Sequence, residues 1–487
     1  MYFQVIIIGI IFFILKKHWR NNKFSQLHQI PGPKSLPILG NVLEFLGSPS
    51  DIFQKLTKFA KSTDCGMFSL WIWNKPFVFL TRAETIQPIL ASSVLLTKDD
   101  NYKLLSDWLG IGIVLSDGDI WHRRRKLLTP TFHVSILESF LPIMEKESKI
   151  LVEKLSADIG RTINIESLLT SCALGIITET TMGVNIHAQT TNNHPYLDAI
   201  HNLEDIIIQR IYTPFWNNDK YFRFTKTYSK WIQYVNIVHT FALNVITDRR
   251  SKFRIKSENE FYQEKKRAFL DYLLEDGMLD QVALRDEVNT FMFAGHDTTA
   301  TATKWCLFML GHNSEIQGKV HEEIDSIIHQ KDDPITMNEI RSMKYLERCI
   351  KETLRLYPSI ANIARHLTQN VEINGFTLPK GTSVILDFYS LHRDTRYFSK
   401  PEVFDPDRFL PENQVNKPQF AYLPFSAGMR NCLGQKFAMI AIKMMIASIL
   451  KQYRVESIQK MEDIHIKFNL TLKSEENILL KFHPRSP

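Results

Sequence analysis

The sequence has few cysteines, no segment of low complexity and no internal repeat. Its five cysteines, Cys65, Cys172, Cys306, Cys349 and Cys432, are odd in number and widely scattered among 487 residues. This argues against a disulfide framework and indicates a reducing, cytosol-facing environment. The absence of repeats and of an abrupt change in composition favours one large domain over an array of small ones.

The chain also lacks a basic arm of the nucleic-acid-binding type. Its formal net charge of +7 is spread along the sequence, so nothing resembles a nucleic-acid-binding arm, and we expect no nucleic acid as partner. The charge instead predicts a basic face for an acidic protein or anionic lipid. General disorder is excluded, because 44% hydrophobic residues can bury a substantial core.

The N-terminus carries an uncharged apolar run, MYFQVIIIGIIFFIL, followed by KKHWRNNK. Fifteen helical residues span about 22 Å, somewhat less than a bilayer core. A cleaved signal peptide is the alternative, but the positive charges follow the run and no small-residue cleavage site is present. We therefore predict a single-pass membrane anchor over residues 1–22, a proline-rich hinge over 23–40 and a single large domain over 41–487 on the cytosolic side.

Hydrophobic periodicity predicts a mainly α fold with small β-sheets. The long amphipathic patterns occupy residues 134–156, 228–252, 281–310, 314–329, 339–356 and 433–452. The strand candidates are shorter, and they lie at MFSLWIW, PFVFLT, VEINGFTLPKGTSVILDF, IKFNLTL and NILLKFH.

The stretch PFSAGMRNCLGQKFA, residues 424–438, places Cys432 immediately before one of these helical patterns. A helix N-terminus favours a thiolate, because its free amides and its dipole stabilise negative charge. Gly428 and Gly434 permit a tight turn and the approach of a flat ligand. Arg430 could pair with an anionic group of that ligand, and Phe425 would shield the sulfur from water.

Most isolated cysteines are small buried hydrophobic residues, but the spacing around Cys432 favours a metal ligand. Tetrahedral zinc requires three or four protein ligands, and nothing near Cys432 supplies them. A metal that carries its own equatorial ligands needs only one residue from the protein, as haem does.

The pattern Phe425-x-x-Gly428-x-Arg430-x-Cys432-x-Gly434 resembles the haem-thiolate signature of the cytochrome P-450 superfamily. The resemblance extends over nearly the whole chain and implies the cytochrome P-450 fold with haem b as cofactor. It implies that Cys432 is the proximal ligand of the haem iron and that Arg430 pairs with a haem propionate. Phe425 belongs to the same haem-binding signature.

The segment EVNTFMFAGHDTTATATKW, residues 287–305, contains Gly295, Asp297 and Thr298, which have low intrinsic helix propensity. Asp-Thr-Thr could cap a helix, but apolar residues on both sides favour a position within one. The segment resembles the long helix over the haem, most closely in the family-4 branch. The resemblance implies that Asp297 and Thr298 form an acid–alcohol pair that relays protons. Ala294 stands where many members of that branch carry an ester-forming glutamate, so no covalent haem link is expected.

Two further motifs carry charged residues. In KETLR, Glu352 and Arg355 share one helical face, which alone usually means a surface ion pair. FDPDRF follows with Arg408, and the resemblance implies a structural network of Glu352, Arg355 and Arg408.

In WHRRRKLLTPTFH, Trp121 and Arg125 also share a face. The resemblance implies that they bind a haem propionate, as does Arg365. Arg123, Arg124 and Lys126 would add to a basic face that receives an acidic reductase.

The sequence thus predicts a haem-thiolate monooxygenase at the endoplasmic reticulum membrane. The expected partners are an NADPH-dependent flavoprotein reductase, cytochrome b5 and an apolar substrate such as a fatty acid, a lipid hormone or a foreign compound. A haem-thiolate isomerase or dehydratase is the alternative, and so is a non-catalytic carrier of haem or lipid. Substrate contacts are expected at about residues 100–118, 205–235, 358–364 and 470–476.

Overall fold

The computed structural model describes residues 6, 9–10, 13–14, 22–36, 39–73, 75–190, 194–213, 215–257, 268–329 and 334–485. Most of the predicted anchor, residues 1–22, lies outside these residues, as does Pro37 of the predicted hinge. Within the described ranges, none of the helices is both long enough and apolar enough to span a bilayer.

Helices dominate the described chain. They are α1 Pro49–Lys61, α2 Ala83–Leu90, α3 Ser106–Leu109, α4 Gly118–Leu128, α5 Val134–Ser139, α6 Leu141–Ser156, α7 Glu166–Ile177, α8 Pro195–Tyr212, α9 Asp219–Phe222, α10 Lys226–Ser257, α11 Phe269–Asp276, α12 Gln281–His312, α13 Ser314–Ile327, α14 Met337–Ser342, α15 Lys344–Leu356, α16 Phe388–Leu391 and α17 Gln435–Gln452. The six long amphipathic patterns of the sequence all correspond to helices of this set.

Short strands make up the rest of the regular structure. They are β1 Met67–Ile72, β2 Lys75–Leu80, β3 Thr162–Asn164, β4 Asn362–His366, β5 Val371–Ile373, β6 Phe376–Leu378, β7 Ser383–Asp387, β8 Tyr453–Ser457, β9 Ile466–Lys467, β10 Lys473–Ser474 and β11 Leu479–Pro484. They form sheets of order β1-β2-β7-β4, β3-β11-β8, β5-β6 and β9-β10. Only the β2–β7 pairing is parallel among the described strands. A mainly α fold with small sheets is thus confirmed.

The chain divides into two compact units. The first combines residues 1–100, 361–399 and 418–431, and the second combines residues 101–360, 400–417 and 432–487. The four-stranded sheet belongs to the first unit, where Val78, Leu80, Val384 and Leu386 of its central strands are completely buried. Apolar burial of this kind is the main stabilising contribution to such a core.

Helix α12 is the central element of the second unit. It packs against α7, α17 and β8, and the side chain of Asp280 caps it by accepting a hydrogen bond from Ala283 N at 2.7 Å. The helix continues through Gly295 and the Asp-Thr-Thr sequence, so the predicted mid-helix position is confirmed. Gly295 has a packing role, because a Cβ there would lie 2.5 Å from side-chain atoms of Ile177 on α7.

Candidate active site

Cys432 lies just before α17, whose N-cap is Gly434. The predicted helix N-terminus is therefore present. Burial raises the pKa of the Cys432 thiol, while the backbone N–H of Gly434 and the charge of Arg125 act in the opposite direction by favouring the thiolate. The residue is nevertheless solvent-accessible. Both properties are expected of a side chain that lines a recess in the protein.

Helix α4 supplies the positive charge near this sulfur. Trp121 is buried and Arg125 is half-buried on it. Burial lowers the pKa of Arg125, whereas the negative charge that Cys432 can carry raises it. Arg124 corrects the prediction of a basic face, because it is buried and forms an ion pair with Glu287 of α12 at 2.7 Å. Arg123 and Lys126 are exposed as expected.

A strip of α12 is accessible although the helix around it is buried. Phe293, Ala294, Gly295 and Thr298 are half-buried, whereas the residues on either side of the strip are buried. The first turns of α17, which packs against α12, show the same partial exposure at residues 438–440. The partial exposure of these faces indicates a recess beside them in the second unit.

The space beside Gly434 indicates which kind of ligand this recess can accommodate. A Cβ at this position would find its nearest protein atom 3.9 Å away, on the ring of Phe132, so protein packing does not require glycine here. Open space beside the backbone suits a flat ligand. Together with the accessible sulfur of Cys432 and the neighbouring guanidinium of Arg125, it provides the ligand, the charge and the space that haem needs. The residues present therefore fit the cofactor.

The first half of the signature loop belongs to the first unit. Leu423 N donates to Nε2 of His392 at 2.8 Å, which fixes the start of the loop. Gly428 has a positive φ of 71°, and a Cβ there would lie 1.9 Å from the carbonyl oxygen of Leu90. The tight turn predicted for Gly428 is therefore confirmed. Phe425 and Arg430 are half-buried in this loop.

Arg365 also lies in the first unit. It is buried on β4, where its Nη1 donates to the carbonyl oxygen of Ala364 at 3.1 Å. Its role in haem binding, like that of Trp121 and Arg430, stays a prediction.

Asp297 and Thr298 are adjacent on α12 but have different partners. The hydroxyl of Thr298 donates to the carbonyl oxygen of Ala294 at 2.7 Å, the backward bond expected for a threonine within a helix. Asp297 is buried and accepts a hydrogen bond from the hydroxyl of Thr471 at 2.7 Å. Burial alone would raise the pKa of Asp297, but Lys473, His296 and Thr471 outweigh it and hold the pKa below its usual value.

Sequence reasoning missed three residues of this neighbourhood. Thr471 and Lys473 fall in a region expected to contact substrate, but they approach Asp297 instead. Glu204 of α8 is buried and accepts a hydrogen bond from Nζ of Lys473. Its helical phase offered a signal, since Glu204 shares a buried face with Leu203 and Ile207, whereas Asp205 is exposed.

The charged network implied for KETLR is present and buried. Glu352 Oε2 and Oε1 accept from Arg355 Nε and Nη2 at 2.7 and 2.8 Å, a bidentate pair. Oε1 also accepts from Arg408 Nε at 3.2 Å and from the backbone N–H of Asp405 at 2.9 Å. Glu352 and Arg355 have no exposed surface. The surface-pair alternative is therefore wrong.

Comparison with known proteins agrees with this geometry. A family model described as Cytochrome P450 matches residues 30–482. The chain is 37% identical to "Cytochrome P450 4c3" of Drosophila melanogaster, with 98% of this chain and 93% of that protein covered. It is 40% identical to "Cytochrome P450 4V2" of Mus musculus, over 95% and 91%. It is 37% identical to "Cytochrome P450 4c21" of Blattella germanica, over 96% and 95%. The chain therefore belongs to the cytochrome P450 family and is a haem-b-binding monooxygenase of that family.

Proposed function

We propose that this monooxygenase inserts one oxygen atom from dioxygen into an apolar substrate, with Cys432 as the thiolate ligand of the haem. The observation that supports this is the accessible sulfur of Cys432, with the N–H of Gly434 and the guanidinium of Arg125 acting on it. Haem, when bound, supplies the iron at which dioxygen is activated. Cys432 would hold the haem through its thiolate, whose electron density would favour cleavage of the oxygen–oxygen bond.

The protein side of the mechanism rests on α12. Thr298 lies on the accessible strip, where its hydroxyl can bond to a water molecule or to a polar group in the recess. Asp297 directly precedes Thr298 in the sequence and accepts a hydrogen bond from the hydroxyl of Thr471. Asp297 would supply a proton, and Thr298 would hand it on to the recess. Arg125 and Trp121 of α4, with Arg365 and Arg430, would hold the haem propionates.

Electrons would come from NADPH through a separate flavoprotein reductase, with cytochrome b5 as a second donor. Arg123 and Lys126 are exposed on α4 beside Arg125 and would contribute to the docking face for such an acidic partner. We place the enzyme at the endoplasmic reticulum membrane with its catalytic domain toward the cytosol. The basis is the apolar run of residues 1–15 and the basic residues that follow it.

The test is turnover in a reconstituted system. The full chain, an NADPH-dependent reductase and a panel of fatty acids, lipid hormones and foreign compounds are incubated under isotopically labelled dioxygen. We expect products that carry one labelled oxygen and whose formation requires NADPH. Thr298→Ala should consume NADPH but divert its electrons to hydrogen peroxide. Turnover of a hydroperoxide without NADPH, and of nothing else, would instead identify an isomerase or dehydratase.

A further inference from the structure

Glu204 is a buried acid whose two carboxyl oxygens have different surroundings. It lies on α8 with no exposed surface. Its Oε2 accepts a hydrogen bond from Nζ of Lys473. Its Oε1 is buried and has no hydrogen-bond donor among the described residues. A buried carboxylate oxygen without a donor is costly, so this oxygen is better suited to carrying a proton.

Asp297 provides an acceptor for such a proton. Lys473 donates to Glu204, and Thr471, two residues earlier in the same segment, donates to Asp297, so the two carboxyl groups are neighbours. Two neighbouring carboxylates cannot both ionise at little cost. Asp297 is the better anion, because the hydroxyl of Thr471 donates to it at 2.7 Å. Burial first, and then the charge of Asp297, raise the pKa of Glu204 to about 8 despite the opposing effect of Lys473.

The charges around the pair agree with this assignment. The ionisable groups around the pair are Lys473 of β10, His296 of α12, His201 and Tyr196 of α8, and Glu166 of α7, with Lys304 of α12 bound to Glu166 at 3.1 Å. Burial and the charge of Asp297 raise the pKa of Tyr196, so it is neutral at pH 7. Burial lowers the pKa of His296 to about 4 and also lowers that of His201, so both are neutral at pH 7. Lys473 and Lys304 then balance Asp297 and Glu166, and an ionised Glu204 would add an uncompensated buried charge.

Hydrogen bonds, directly and through Ser359, connect the segment that carries Thr471 and Lys473 to α12. Leu472 N donates to the carbonyl oxygen of Ser359 at 2.9 Å, and Ser359 Oγ donates to the carbonyl oxygen of Thr298 at 2.9 Å. Nε1 of Trp305 donates to the carbonyl oxygen of Leu472 at 3.1 Å. These bonds join the segment to α12 at Thr298, next to Asp297, and at Trp305, about two turns later. Thr471 and Lys473 are thereby held beside Asp297.

We propose that Glu204 holds the proton that Asp297 passes on during oxygen activation, an assignment that rests on the function proposed above. Glu204 acts through Asp297 and is therefore a positioning residue. In the transfer, the O–H bond at Oε1 of Glu204 breaks as an O–H bond forms on a carboxylate oxygen of Asp297. The carboxylate left on Glu204 is neutralised by Lys473. Bulk water then returns a proton to it past His201, which is only partly buried.

The first test observes the proton directly in the holoenzyme. Infrared difference spectra are recorded between the wild type and Glu204→Gln as the pH is raised. We expect the wild type to show a carboxylic-acid carbonyl band at pH 6 that disappears with a midpoint near pH 8. The difference spectrum between the wild type and Asp205→Asn, an exposed neighbour on the same helix, is the matched control and should show no such band. Absence of the band from the wild type at pH 6 would overturn the proposal.

The second test measures turnover with reductase and NADPH. Glu204→Gln keeps a neutral side chain and its hydrogen-bonding groups but cannot release a proton. We expect it to retain haem and the wild-type KM while kcat falls about tenfold, with a larger solvent isotope effect and more NADPH diverted to peroxide. Glu204→Asp should restore part of kcat. A kcat and coupling equal to those of Asp205→Asn would refute the proposal. If the wild type itself fails to turn over, the proposed function fails, while the infrared band still reports the proton on Glu204.

Discussion

Glu352→Gln should be among the most destabilising conservative substitutions in the second unit. Its carboxylate accepts two hydrogen bonds from Arg355, one from Arg408 and one from Asp405 N, all in a buried setting. Glutamine keeps the shape but leaves two buried guanidinium groups without a counter-charge. Removing one partner from a buried ion pair costs about 3–5 kcal/mol. We expect the free energy of unfolding to fall by that amount.

Urea titration is the suitable assay, because in a chain of this length such a loss lowers Tm by only about a few degrees. Arg341→Gln is the matched control. Arg341 is 53% exposed and pairs with Glu138 at 2.8 Å on the surface, so its loss should cost about 0–1 kcal/mol. If Glu352→Gln is as stable as this control, the buried network does not stabilise the unit and the reasoning is refuted.

Four further predictions concern single positions. Gly428→Ala should lower the free energy of unfolding by about 2 kcal/mol or more and reduce haem retention on gel filtration, because Gly428 has a positive φ and lies against the Leu90 carbonyl. Gly434→Ala should keep the urea midpoint of the wild type but weaken haem uptake. Gly295→Val should lower the urea midpoint by forcing α12 away from Ile177. Raising the pH from 5 to 8 should lower the free energy of unfolding of the wild type, relative to Glu204→Gln, by about a few kcal/mol in urea titrations. The reason is that Glu204 ionises near pH 4.5 in the unfolded chain but only near pH 8 in the folded protein.

Local sequence patterns were sufficient to predict the long helices and the position of Cys432 before α17. The periodicity of residues 281–310 is a local property, and so is the glycine spacing around the cysteine. The burial of Arg124 could not be predicted in this way, since it depends on Glu287 of α12, which is distant in sequence and which chain folding brings within 2.7 Å. Taken alone, the sequence motif around Arg124 is typical of a basic surface patch.

The acid pair was missed for a related reason. The environment of Asp297 is completed by Glu204 of α8 and by Thr471 and Lys473 near β10, which chain folding brings together from distant segments. A helical pattern indicates which face is buried, but it does not indicate which charge meets that face. The haem-binding roles of Trp121 and the other predicted residues stay predictions, because they depend on contacts with the haem, which the sequence does not encode.

The central claim is that Cys432 provides a thiolate to the haem iron. The direct measurement is the carbon-monoxide difference spectrum of the dithionite-reduced protein, recorded beside Cys432→His. A strongly red-shifted Soret band in the wild type that is lost in Cys432→His is the result we predict. A histidine-type band in the wild type, or a red-shifted band that survives in Cys432→His, would contradict the account.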